Sequence, residues 1–218
     1  MKFHRVALHI NHLTALQEFY SSILELPVKK DKHQLIIPLN SSELVFWQTN
    51  HSQPFYHFAI NIPANKIEEA KNWLKTKVEL LWMNDYKSDV ADFKNWHAKS
   101  VYFFDPAGNI VELISRLDLD DAVDEKFSSK LFNCISEIGI VFNENEFDQQ
   151  TGELMEKFGL NYFSKQPPLK QFRAIGDDEG LFIIVPENRN WYPTNKPAGI
   201  YPMEIEFEED GKRFTLKI

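Results

Sequence analysis

The chain has 218 residues, 43% apolar and 26% charged, the balance of an ordinary soluble globular protein with room for one elaborate domain or two small ones. Its 24 Lys and Arg against 32 Asp and Glu leave a formal charge of −8, and with no basic cluster to offset that sign nucleic-acid binding gains no support. No apolar run approaches bilayer length, no secretory signal pattern opens the chain, and the single cysteine, Cys134, excludes an intramolecular disulfide or a thiolate metal cluster within one chain; a cytoplasmic protein with no membrane partner is expected.

Residues 5–11 alternate apolar and polar as a half-buried strand does, and Leu16, Phe19, Tyr20, Ile23 and Leu24 then recur at helical spacing. "QLIIPLN" and "ELVFWQT" follow as strands joined by a turn near residues 40–42. At Phe55 the plan restarts. "FYHFAINIP" reads as a strand stopped by Pro63, and Ile67, Ala70, Trp73 and Leu74 form a helical face. "SVYFF" and "NIVELIS" close the copy as a hairpin across "DPAGN", where Pro106 presets one backbone angle and Gly108 accepts positive φ. The aperiodic residues 83–99 between helix and hairpin read as a loop covering a site.

Residues 117–133 are acid-rich with little period and read as a linker or short connecting helix. From "SEIGIVF" the plan begins a third time, with Thr151, Leu154, Met155 and Phe158 on one helical face and Gly159 at a C-cap position; "QFRAIGD" and "GLFIIVP" are its strands. "YPMEIEFEE" and "KRFTLKI" leave a fourth copy truncated to a hairpin. The expected division is a two-module domain over 1–116, a linker over 117–133, and over 134–218 a degenerate third module plus the hairpin.

"RVALHI" leading to "EFYSSILEL", then "HFAINIP" and "SVYFFDPAGNIVELI", resemble the paired modules of the vicinal oxygen chelate superfamily. That superfamily includes glyoxalase I, extradiol ring-cleavage dioxygenases, fosfomycin-resistance enzymes and metal-free bleomycin-binding proteins. The resemblance implies an α+β fold of repeated βαβββ modules curled into a half-open barrel, with a second, truncated module pair. It further implies a divalent metal held by a residue opening each module's first strand and a Glu on the last strand. Carried over, these positions fall on His57, Glu112 and Arg5.

Arg5 departs from the pattern, because a guanidinium stays protonated and is no ligand. His9 shares a face with Arg5 by strand alternation and offers a replacement; alternatively Arg5 binds an anionic substrate or pairs with Glu112 in a metal-free site. Imidazole and carboxylate suit iron, manganese, zinc or nickel. His97 and Tyr102 are candidate substrate contacts, and Glu112 a candidate base. His12, His33 and His51 read as ordinary polar positions, Trp47 and Trp82 as core.

Glu137 and Pro202 stand at the opening-strand positions of copies three and four, and chemistry is not expected there. The stretch "PENRNWYPTNKPAGIYP" has the length to roof a cavity or form an interface, but simple completion of the sheet is expected. The function implied is a metal-dependent lyase, isomerase or ring-cleavage dioxygenase acting on a small molecule. The alternative is a metal-free binding or resistance protein, and the resemblance leaves room for a homodimer.

Overall fold

The computed structural model describes residues 1–50 and 53–218; His51 lies outside them. The first module runs β1 (Lys2–Ile10), α1 (Leu13–Glu18) continued by a π-helical turn (Phe19–Ile23), β2 (Lys29–Lys30), β3 (Gln34–Pro38) and β4 (Glu43–Gln48). The second comprises β5 (His57–Ile62), α2 (Ile67–Lys75), β6 (Ala91–Phe93), β7 (Ala98–Phe104) and β8 (Ile110–Arg116). The third has β9 (Cys134–Phe142), α3 (Phe147–Phe158), β10 (Arg173–Asp177) and β11 (Gly180–Pro186), and the fourth only β12 (Met203–Glu209) and β13 (Lys212–Lys217).

Local chemistry accounts for these elements. α2 carries Glu68 and Glu69 in its first turn and Lys75 in its last, matching the helix dipole, and buries Ile67, Ala70 and Leu74. α3 stops at Gly159, whose φ of 68° is left-handed. In the "DPAGN" turn, Asp105 Oδ1 accepts from the amides of Ala107 at 2.9 Å and Asn109 at 3.0 Å, so the β7–β8 hairpin that carries Glu112 is locked by its own turn.

Among the described residues thirteen strands form two sheets, one ordered β13-β12-β1-β4-β3-β2 and the other β10-β11-β9-β5-β8-β7-β6. The first module therefore pairs with the fourth, and the second with the third. This corrects the expected pairing of the first two modules inside residues 1–116. The reason lies in the strand faces. All six residues of β5 are buried, as are eight of nine in β9, so each needs cover on both sides and they sit together in the middle of one sheet. β1 instead presents Lys2 and Arg5 in register with Glu208 and Glu206 of β12. Such exposed pairs contribute little energy each, but opposite charges in register favour this partner over another.

A shared core fastens the sheets together. Phe182 of β11 lies 5.4 Å from Phe3 and 5.2 Å from Phe207, ring centre to ring centre, and burying each such ring contributes roughly 1.5–3 kcal/mol. The Tyr56 hydroxyl donates to the Pro202 carbonyl at 2.8 Å and accepts from the His9 amide at 3.2 Å. Residues 117–133 are packed rather than free: Phe127, Leu131 and Phe132 are buried, with Trp73 lying 5.6 Å from Phe127. Two expectations for the core are corrected: Trp82 is 59% exposed, and Trp47 is half-buried against Arg5 and His9. Among the described residues no helix is long and apolar enough to cross a membrane.

Candidate metal centre and its cavity

The register of three adjacent strands builds the centre. Ala59 of β5 is opposite Glu112 of β8 on one side and Glu137 of β9 on the other. Neighbouring residues across strands point to the same face, so two carboxylates flank a methyl group too small to separate them. His57 shares that face, two residues along β5. One donor atom from each of His57, Glu112 and Glu137 lies within 4.8 Å of the others, all three side chains are buried, and no other His, Cys, Asp and Glu group gathers in this way among the described residues.

His57 Nδ1 lies 3.3 Å from the Ile110 carbonyl. This contact assigns the proton to Nδ1 as donor and leaves the Nε2 lone pair facing Glu112 Oε2, 3.5 Å away. Burial drives His57 down to about 4, so the ring is neutral near pH 7. Burial and then the neighbouring charge of Glu137 push Glu112 up to about 8, with the Tyr102 hydroxyl and Arg116 pulling back in part. Glu137 is also raised by burial, with Arg116 opposing. Arg116 is fully buried at the end of β8; its Nη2 donates to Glu137 Oε1 at 2.5 Å and its Nε to Ser136 Oγ at 3.1 Å. One buried cation thus faces two buried carboxylates, and the second carboxylate lacks a counter-charge.

That imbalance and the donor set of one imidazole and two carboxylates fit a divalent cation. The third module shows how many protein donors are available. Glu112 is opposite the residue two beyond His57; by the same step, two beyond Glu137 is Gly139, whose partner on β11 is Ile183. An apolar side chain therefore stands where a fourth donor would be.

The centre forms the floor of a cavity of about 270 Å³. Its walls are aromatic: Phe93 and Trp96 from the 83–99 loop, Tyr102 from β7, Phe172 before β10, and Trp191 and Tyr192 from the loop after β11. Gly139 makes room for one of them, since a Cβ there would meet the Trp191 ring at 2.6 Å. The Trp191 ring lies 5.3 Å from that of His57. Ile183, Gln166, Leu169 and Arg189 complete the lining.

The structure brings His57, Glu112 and Tyr102 together and keeps three other candidates apart. Arg5 lies on the other sheet, 3.4 Å from Glu206 and 3.6 Å from Glu204, with its guanidinium over Trp47; it neither replaces a ligand nor pairs with Glu112. His9 is beside it, edge-on to Trp47. Both are corrected by the module pairing, which takes β1 away from β5. His97 is also corrected: its side chain is 62% exposed and it contacts Asp118 at 3.1 Å, while Trp96 before it turns into the cavity. Glu137, in a segment where no chemistry was expected, takes the place assigned to Arg5. The loop after β11, expected only to complete the sheet, supplies Arg189, Trp191 and Tyr192. Arg116 had no distinguishing signal in the sequence.

No family model and no curated protein matches this chain. Solved structures do. A putative dioxygenase from Bacillus subtilis is 13% identical and aligns over 100% of this chain and 84% of its own, with a TM-score of 0.60. A lactoylglutathione lyase from Agrobacterium tumefaciens is 20% identical over 51% of this chain and 91% of its own, TM-score 0.41. The fosfomycin resistance protein FosX from Listeria monocytogenes, solved with Mn(II) and sulfate, is 15% identical over 52% of this chain and 87% of its own, TM-score 0.39. At these identities the likeness is one of fold, and the Bacillus structure, which spans all four modules, carries it.

Proposed function

The chain has the vicinal oxygen chelate fold, and from that premise we propose that His57, Glu112 and Glu137 hold a divalent metal beneath a cavity that binds a small aromatic molecule through adjacent oxygens. The observation that carries this reading is the buried, charge-unbalanced trio at the cavity floor. An ion held there supplies Lewis acidity to oxygens entering from the cavity, and three protein donors leave it more positions for them than four would.

The chain's own residues do the rest. His57 is fixed by its Nδ1 contact with the Ile110 carbonyl. Arg116 holds Glu137 in place from behind. Glu112 becomes a carboxylate at the cavity floor once metal uptake displaces its proton, the form in which it can take up a proton from a substrate hydroxyl, and Tyr102, directly opposite on β7, is placed to steady that carboxyl. Trp96, Phe172 and Tyr192 offer ring faces to a planar substrate and exclude water. Among the reactions of this fold, ring cleavage of a vicinal diol with dioxygen as co-substrate suits the three-donor set and aromatic walls better than the lyase or isomerase alternatives.

A metal-free binding protein has one observation in its favour, because Arg116 already neutralises Glu137. It leaves Glu112 accommodated only by keeping its proton, which costs stability as pH rises toward 8. Elemental analysis of protein purified without chelator or affinity-tag metal, with His57→Ala beside it, decides between the two. Stoichiometric metal lost in the variant supports the proposal, and turnover of catechols is then assayed under air. No metal, even after incubation with iron, manganese, zinc and nickel, overturns it in favour of the metal-free reading.

A further inference from the structure

Arg189 is the cation in this cavity that the centre does not use. It reaches the lining from the loop after β11, where its backbone is pinned by Ala198 N–H donating to the Arg189 carbonyl at 2.8 Å. Its side chain makes one weak hydrogen bond, Nη1 to the carbonyl of adjacent Asn190 at 3.3 Å, and lies over the Phe172 ring at 5.4 Å. Among the described residues no carboxylate lies within ion-pairing distance of it. In a chain with 32 acids against 24 basic residues, a half-buried guanidinium left without a partner is unusual. Arg116, behind the centre, is by contrast paired with Glu137.

We infer that Arg189 is an anion subsite and that the molecule taken by this cavity is an aromatic acid, its carboxylate on Arg189 and its ring among Phe93, Trp96, Phe172 and Tyr192. The guanidinium fork matches a carboxylate in two parallel hydrogen bonds, and its partial burial strengthens them. Burial lowers the Arg189 pKa with no neighbouring carboxylate opposing it. An anion bound there relieves that cost. The inference rests on reading this cavity as the substrate site and deepens it by naming the substrate's charge.

Quenching of tryptophan fluorescence, with Trp96 and Trp191 in the walls, reads binding directly. In metal-free protein benzoate is compared with benzamide, and in Mn(II)-loaded protein 3,4-dihydroxybenzoate is compared with catechol. Wild type is expected to prefer the acid by about tenfold or more in each pair. Arg189→Gln is expected to bring both ratios to about one, and Arg189→Lys to restore part of the preference as a point charge. Thermal melts of both variants establish that they fold. No acid preference in wild type, or one unchanged in folded Arg189→Gln, overturns the inference. If the benzoate preference is present but Mn(II) tightens neither diol, the subsite stands and the metal proposal fails. If Mn(II) tightens both diols but neither pair shows an acid preference, the reverse holds.

Discussion

Replacing Glu112 by Gln keeps the side chain's shape and removes its titration. In the metal-free protein burial and Glu137 hold the Glu112 pKa at about 8, against an ordinary value of 4.5. A carboxyl whose folded pKa is raised stabilises the fold below its unfolded pKa, and that contribution is lost as pH rises through the folded value. The window is therefore pH 4.5 to 8. At pH 7 the penalty relative to a permanently neutral group is on the order of 3 kcal/mol, and Glu112 is too deeply buried for solvent to screen it. Metal-free Glu112→Gln is thus expected to melt several degrees above wild type at pH 7, roughly 6–12 °C for a chain of this length. The two curves should converge near pH 4.5. With Mn(II) added the order should invert, because wild type gains the binding energy and the amide, having no charge, gains little. Melts in chelator and in Mn(II) at pH 5, 7 and 8.5 measure both effects. A variant no more stable than wild type at pH 8.5, with a parallel pH curve, would refute the charge imbalance; undiminished stabilisation by Mn(II) would refute Glu112 as a ligand.

Glu137→Gln should weaken metal binding by at least about a hundredfold, since loss of an outer-shell partner alone costs about 10- to 100-fold, whereas Arg5→His should leave affinity within about twofold. Titration calorimetry separates them, and the opposite order would put the third ligand on β1. Apparent metal affinity should rise by about tenfold per pH unit up to about pH 8, as uptake displaces the Glu112 proton; His57, already neutral above about 4, adds no slope there, and a flat profile between pH 5 and 8 would contradict the assignment. Ile183→Glu should supply the missing donor, raising metal affinity by about tenfold or more while lowering metal-free stability by several kcal/mol. An unchanged affinity would mean that Ile183 does not face the centre.

What the sequence reveals about this site divides by distance along the chain. His57 and Glu112 are legible because one module contains both, with the Asp105–Asn109 turn returning β8 to β5. Their third partner is not, because strand alternation shows that a face exists without showing which strand adjoins it. Part of the cue is present: Glu204, Glu206 and Glu208 alternate on β12, but Lys2 and Arg5 are three apart and face Glu208 and Glu206 only through a bulge between Phe3 and Arg5, which no alternation reveals. Loops are harder. His97 and Trp96 differ by one position, and which of them enters the cavity is set by a left-handed turn at His97, φ 48°, that no periodicity announces. Arg189, Trp191 and Tyr192 lie in a stretch without period, whose location over β9 exists only once the sheet is assembled.

The nested pairing of modules, first with fourth around second with third, also orders events during synthesis. The three residues of the metal centre lie between His57 and Glu137 and the inner sheet ends at Pro186, so that sheet has all its strands before the last two leave the ribosome. β1 is made first, yet its outer neighbour arrives last: Arg5 meets a glutamate 201 residues away. Contacts so distant in sequence form slowly, and until they do β1 is an open edge. Lys2 and Arg5 then have a second use, as like charges that discourage two nascent chains from joining through that edge. The binding pocket can take shape early, and the N-terminal sheet closes over the finished chain as a clasp.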